Sequence, residues 1–195
     1  AVRMPRKDFS SVDLPVAAFG KLDARRVHSK DYPAVGFRIV SNHRFSHPDS
    51  PAGLLYLAES LETCLWECFG DELLDTQNRL SASRWTNSHF SRVFSMAAFR
   101  ICDLTDESVR LRLGVDLSAL MHPDLAIPHE WGLAIQNHPS AVDGLRYLSR
   151  FDQQPCFVLF ERPGVAGKLR ETFVGSLPDI DQTSDFLAAK SIQLI

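Results

Sequence analysis

The sequence predicts an α+β domain, a mixed β core with flanking short helices. Three observations predict it. Residues 54–70 pass from an apolar strand pattern straight into a helical one. A strand segment within 144–150 and a strongly apolar one at 155–161 lie close enough in the chain to pair as a hairpin. Elsewhere strands and short helices intermingle without the regular βαβ rhythm of a parallel sheet. The chain has 195 residues, 45% hydrophobic and 23% charged, which suits one domain with a sizeable core. A single domain over residues 1–195 is expected, with no internal repeat and no low-complexity segment.

Taken in order, residues 1–21 mix Pro, Asp, Ser and Lys with short apolar patches and read as an arm that packs late or binds a partner. Leu22-Asp23-Ala24-Arg25-Arg26-Val27-His28 reads as a first strand, in which Arg26 faces opposite to Arg25 and Val27. Tyr32-Pro33 ends it. Phe37-Arg38-Ile39-Val40 is a short extended piece, and residues 42–53 form a loop rich in turn formers. Arg44 in that loop is placed to meet a phosphate, although a surface arginine would look the same.

Leu54–Ala58 is apolar apart from the Tyr56 hydroxyl, as a strand covered on both faces would be. Ser60 can cap the next helix, with Glu62 in its first turn. Leu61, Cys64, Leu65, Cys68 and Phe69 recur at helical spacing, and Gly70 reads as the stop. Glu67 lies about a quarter turn from the middle of that stripe, at ~100° per residue. A carboxylate there can point into a cleft beside the preceding strand, a usual place for a catalytic acid. A solvated helix glutamate is the commoner outcome of the same spacing.

Residues 71–92 are polar and irregular and read as a long connection or lid with one helical turn. Residues 93–101 read as one strand. Thr105 caps a short helix, 106–113, that stops at Gly114. Residues 118–128 read as a loop, and Pro128 opens a helix over 129–137. The hairpin 144–160 turns at Asp152-Gln153-Gln154. Residues 186–195 read as a last helix or strand.

The net charge of −3 argues against duplex nucleic acid or an anionic membrane as the main partner. No apolar run approaches the ~18 residues needed to cross a bilayer. Arg3, Arg6 and Lys7 precede no apolar segment, so no secretory signal is expected. Cys64, Cys68, Cys102 and Cys156 sit among apolar neighbours with no Cys-x-x-Cys, as free thiols in a reducing cytoplasm do. No histidine spacing is that of a zinc site, so no metal is expected. G-x-G-x-x-G, P-loop, G-x-S-x-G and H-E-x-x-H motifs are missing. Spacing alone leaves an Arg/Tyr/Glu set without a reaction.

Several short segments, in order, add to this: Arg26-Val27-His28, then Arg44-Phe45-Ser46, then Leu55-Tyr56-Leu57-Ala58-Glu59-Ser60 running on to Glu67, then Gly144-Leu145-Arg146-Tyr147-Leu148-Ser149-Arg150, then Cys156-Phe157-Val158-Leu159-Phe160. Together they resemble the RES domain, over roughly residues 22–160. The resemblance implies a fold similar to that of ADP-ribosyltransferases and the toxin role in a bacterial toxin–antitoxin pair. It implies an Xre-type helix-turn-helix antitoxin as partner, cytoplasmic location, and NAD as substrate, with inorganic phosphate as a candidate co-substrate. NAD would be broken down by phosphorolysis or hydrolysis, or used to ADP-ribosylate a protein. A silent binding module acting through the Xre-type partner, and a homo-oligomer within the antitoxin complex, also stay open. Position by position, Arg26 and Arg44 are the family's two arginines, Tyr56 its strand tyrosine, Glu67 its helix glutamate and Ser149 its serine. Glu67, Arg26 and Tyr56 are then expected to be catalytic, and Arg26, Arg44, Tyr56 and Ser149 to bind NAD. Arg25 stands where many members carry an aromatic or apolar residue, and the following Val27-His28 favours Arg26 as the arginine that faces the pocket.

Overall fold

Leu54–Ala58 lies near the middle of an eight-stranded sheet, with strands paired on both sides. The computed structural model describes residues 2–195. In chain order the elements are β1 (Ala17–Phe19), β2 (Asp23–Ser29), β3 (Leu54–Ala58), α1 (Leu61–Asp75), β4 (Arg79–Leu80), α2 (Ala82–Thr86), β5 (Ser88–Ser95), β6 (Phe99–Asp103), α3 (Glu107–Leu113), α4 (Leu117–Leu120), α5 (Ala126–Gln136), β7 (Gly144–Leu148), β8 (Pro155–Phe160), α6 (Val165–Lys168), β9 (Leu169–Ser176), α7 (Asp181–Ala189) and β10 (Gln193–Leu194). The sheet order is β1-β6-β7-β8-β3-β2-β5-β9, and β10 pairs with β4 in a small second sheet. Within the large sheet β6 and β7 are parallel and the other neighbours antiparallel. This is the expected α+β class.

Side-chain alternation on β3 divides the core. Leu54, Tyr56 and Ala58 face one apolar cluster, together with Leu65 and Phe69 of α1 and Trp131 of α5. Leu55 and Leu57 face a second cluster built from Ala24, Val93, Ile101, Phe157 and Leu159 on the neighbouring strands. Strand residues dominate that second cluster, with short α6 and the 34–37 loop as its further cover, so the sheet curls and its halves pack on each other. β3 is buried on both faces for this reason.

The hairpin β7–β8 forms as expected, in the register Gly144↔Leu159 to Leu148↔Pro155. Gly144 is required there: a Cβ would sit 2.2 Å from the Val158 carbonyl oxygen. Ser60 caps α1, accepting from the Thr63 N–H at 3.1 Å. The helix does not stop at Gly70 but runs to Asp75. Gly70 is in mid-helix because the Phe151 ring rests where a side chain would be, 2.5 Å from a Cβ.

Other expectations are corrected by packing. Of the two fates expected for the N-terminal arm, packing is the one seen, and what was not expected is a strand in it: Phe9 and Leu14 are buried, β1 pairs with β6, and Trp131 donates to the Arg3 carbonyl. Residues 71–92 are not a lid. They complete α1, form β4 and α2, and begin β5, whose Ser88 to Ser95 lie between β2 and β9. Polar side chains at Ser88, Ser91 and Ser95 hid that strand. Residues 93–101 are two strands, broken at exposed Met96. Asp106, not Thr105, caps α3, and Pro128 is the third residue of α5 rather than the first. Residues 117–120 form α4 within the expected loop. The tail holds both a helix, α7, and a strand, β10. β9 was not expected at all, since it is an edge strand with a mostly exposed burial pattern.

Candidate active site

β2 and β3 are hydrogen-bonded neighbours that meet, among the described residues, at one pair, Arg25 opposite Ala58. Beyond that pair they part. The gap leaves Arg26 and Val27 on one wall and Tyr56 and Leu57 on the other, beneath α1. A cavity of about 260 Å³ occupies the split.

α1 brings Glu67 to the cavity. Its start is fixed by the Ser60 cap and by Thr63, whose hydroxyl donates to Asp152 in the β7–β8 turn at 2.8 Å. The Tyr147 hydroxyl donates to Glu67 Oε2 at 3.1 Å. Glu67 Oε1 is buried, lies 3.7 Å from Arg44 Nη2, and has no hydrogen-bond partner among the described residues. A buried carboxylate oxygen left open is costly unless a donor completes it. A hydroxyl-bearing ligand would supply that donor.

The 42–46 loop delivers Arg44, which is 8% exposed. Phe45 beside it is fully buried against Tyr147, with ring centroids 4.9 Å apart, and its N–H donates to the Tyr56 hydroxyl at 3.3 Å. His129 of α5 donates from Nε2 to the His43 carbonyl at 2.9 Å. Arg44 itself donates from Nη1 to the Leu148 carbonyl at 3.0 Å and lies over the Tyr147 ring. Its Nη2 edge is left toward Glu67. The Tyr56 ring meets His43 edge-on at 4.9 Å. Burial raises the Tyr56 and Tyr147 phenols well above the usual tyrosine range, so both remain protonated donors. Burial, followed by the nearby Arg26 and Arg84 charges, lowers His43, which leaves it neutral at pH 7.

Arg26 donates from Nη1 to the carbonyls of Ala34 and Gly36, which brace its stem and leave other N–H groups for a ligand. Burial lowers its pKa, and an arginine stays charged regardless. Arg25 lines the cavity as well, so both arginines reach it. Arg26, Arg44, Tyr56 and Glu67 thus converge. Ser149 does not. It is fully buried in the hairpin turn, where its Oγ accepts from the Phe151 N–H at 3.3 Å and its N–H bonds the Gln154 carbonyl. The mouth adds Arg150 of the quoted 144–150 segment, together with Arg84, Asp71 and Glu72, which sequence reasoning passed over. Arg84 of α2 pairs with Glu72 at 2.5 Å, and Arg150 pairs with Asp71. Asp71 follows Glu67 by four residues, so helical spacing would have found it had α1 not been ended at Gly70. Five arginines against three carboxylates give the cavity an excess of positive charge suited to an anionic ligand.

A family model described as the RES domain matches residues 23–180. The chain belongs to the RES-domain family. No curated protein matches it. Among solved structures, the crystal structure of the M. tuberculosis MbcT–MbcA toxin–antitoxin complex contains a chain similar in fold, with a TM-score of 0.67 at 14% identity. The match covers 94% of this chain and 98% of that one. Within this RES domain no described helix is long and apolar enough to cross a membrane. Among the described residues no group of three or more His, Cys, Asp or Glu could hold a metal ion.

Proposed function

We propose that this RES domain is the toxin of a toxin–antitoxin pair and that it consumes NAD by cleaving the bond between nicotinamide and ribose. The observation that carries the reading is Glu67 Oε1, a buried carboxylate oxygen without a hydrogen-bond partner among the described residues, in an arginine-lined cavity. Breaking that bond sends its electron pair to nicotinamide, which leaves neutral, and positive charge grows on the ribose. Glu67 stabilises that charge and accepts a hydrogen bond from a ribose hydroxyl through Oε1. Tyr147, held at Oε2, fixes the carboxylate so that little reorganisation is needed. Tyr56 offers a flat wall to the nicotinamide ring. Arg26 and Arg44 hold the phosphates, Arg44 with its stem locked by Leu148.

The electron-poor ribose carbon then takes an oxygen nucleophile. Water gives ADP-ribose and releases a proton; phosphate gives a phosphorylated ADP-ribose. The excess of arginine over carboxylate around the cavity favours an anionic nucleophile. Transfer to a protein side chain, an ADP-ribosyltransferase activity, uses the same cavity and first step. The similar fold in a toxin–antitoxin complex supports an antitoxin partner, and we assign it the Xre type, covering the cavity mouth in a cytoplasmic complex.

Purified protein free of any partner, incubated with NAD with and without phosphate, tests this. Nicotinamide release that requires phosphate means phosphorolysis, and release in both buffers means hydrolysis. Release undiminished in Glu67→Gln would refute the role of Glu67. No release by folded protein, even with added protein acceptors, would refute the reading.

A further inference from the structure

The reading of NAD as substrate leaves a question of size. A cavity of about 260 Å³ is smaller than the roughly 300–1,000 Å³ of sites that enclose a drug-sized ligand. A dinucleotide seated by its nicotinamide end must therefore continue outside it. A second concavity, of about 720 Å³, lies across α1 and shares one wall residue with the first, Arg25. Its apolar surface includes Phe90 of β5, Ile180, and Phe186 of α7, and its rim carries Asp185 and Ala189.

Resting on the NAD reading, we propose that this groove binds the adenosine half of the dinucleotide, with Arg25 at the junction of the two concavities adding a third guanidinium to Arg26 and Arg44 on the pyrophosphate. Charge favours that seat. Arg25 shares its partner Asp23 with Arg92, which grips both carboxylate oxygens at 2.8 Å, while Arg25 takes one at 2.6 Å. Two guanidiniums on one carboxylate leave a surplus cation. Arg92 and Arg25 hold Asp23 down to about 2, so the carboxylate remains charged through the working range. Val174 and Ile180 supply apolar surface for a flat base, above the buried Phe90 and Phe186 rings. On the rim Lys190 is engaged with Glu62 at 3.3 Å, which leaves the Asp185 carboxylate to accept from a ribose hydroxyl. The same charge would repel a 2′-phosphate. The groove is thus a specificity element that selects NAD over NADP.

The experiment compares nicotinamide release from NAD, NADP and nicotinamide mononucleotide, which carries the same scissile bond and no adenosine. Ala189→Trp fills the groove from an exposed helix position without removing core atoms. It is expected to raise KM for NAD about tenfold while leaving kcat/KM for the mononucleotide unchanged. Asp185→Lys, also at an exposed position, is expected to narrow the preference for NAD over NADP. An unchanged KM for NAD in Ala189→Trp would overturn the assignment, and so would equal losses on NAD and the mononucleotide. No release by the wild type from any of the three refutes the NAD reading itself and the groove assignment with it.

Discussion

Tyr147 holds one oxygen of Glu67 at 3.1 Å and leaves the other without a hydrogen-bond partner among the described residues. The two side chains come from opposite ends of the sequence pattern, a strand of the late hairpin and the helix after β3. Their meeting makes the carboxylate a fixed acceptor with one open valence. Tyr147→Phe is expected to lower kcat for nicotinamide release by roughly tenfold with little change in KM, at a stability cost of about 1 kcal/mol. Steady-state kinetics beside a melting curve checks it, and a change confined to KM would contradict the positioning role.

Glu67→Gln keeps the shape and removes the charge. Release of nicotinamide is expected to fall by ~10²–10³-fold, the scale of losing one preorganised electrostatic contact. The melting temperature is expected to fall by several degrees as well, because Gln leaves the buried Arg44 without its counter-charge, so the activity loss is read on protein shown to be folded.

Arg44 is different, because it is structural and functional together. It is 8% exposed, bonds the Leu148 carbonyl and faces Glu67 at 3.7 Å. Arg44→Ala leaves the buried carboxylate without its counter-charge and is expected to cost ~3–5 kcal/mol. For a chain of this size that lowers the melting temperature by roughly 6–20 °C. A shift within 2 °C would show that Arg44 is not part of the folded scaffold.

Gly132 on α5 never touches the cavity and yet should control it. A Cβ there would lie 2.4 Å from the Phe45 carbonyl oxygen, a backbone atom that cannot swing aside. Gly132→Ala is expected to cost ~1–3 kcal/mol and to displace the 42–46 loop that carries Arg44. Activity should fall more than in a variant of equal stability loss elsewhere, for example a core truncation near α6.

Alkaline pH should unfold the protein through its buried acids. Burial pushes the Cys68 thiol from 9.0 up to about 11. Cys64, Tyr56 and Tyr147 are raised further. Above pH ~9 the unfolded chain releases these protons and the folded chain keeps them, so folding stability is full below that pH and falls as pH rises. Denaturant titrations at pH 8, 9, 10 and 11 measure the decline. Cys68→Ala is expected to flatten it between pH 9 and 11, and an unaltered slope would contradict burial as the cause.

The local elements with strong pattern were legible in the sequence. β3, the Ser60 cap, the apolar stripe of α1 and the β7–β8 hairpin each follow from the chain's own spacing. The α+β class followed from their mixture, and family resemblance named the four residues that now share the cavity. Elements whose reason lies elsewhere in the chain were misread. Gly70 looked like a helix stop because the ring that needs its space, Phe151, is 81 residues away in sequence. The first half of β5 looked irregular and β9 drew no expectation, because a strand's polar face is set by its neighbours, not by its own composition. Ser149, expected as a ligand contact, lies buried in the hairpin turn away from the cavity lining, since alternation along β7 does not say where the chain bends.

Sequence by itself determined what each segment prefers locally, because backbone propensity, capping and apolar periodicity act over a few residues. The tertiary structure decided the site. A cavity exists because β2 and β3 share one pair, Arg25 with Ala58, and then diverge. That divergence, the loop that α5 holds in place and the exit of α1 past Gly70 come from side chains far apart in sequence competing for the same space, and close packing is a property no local pattern records.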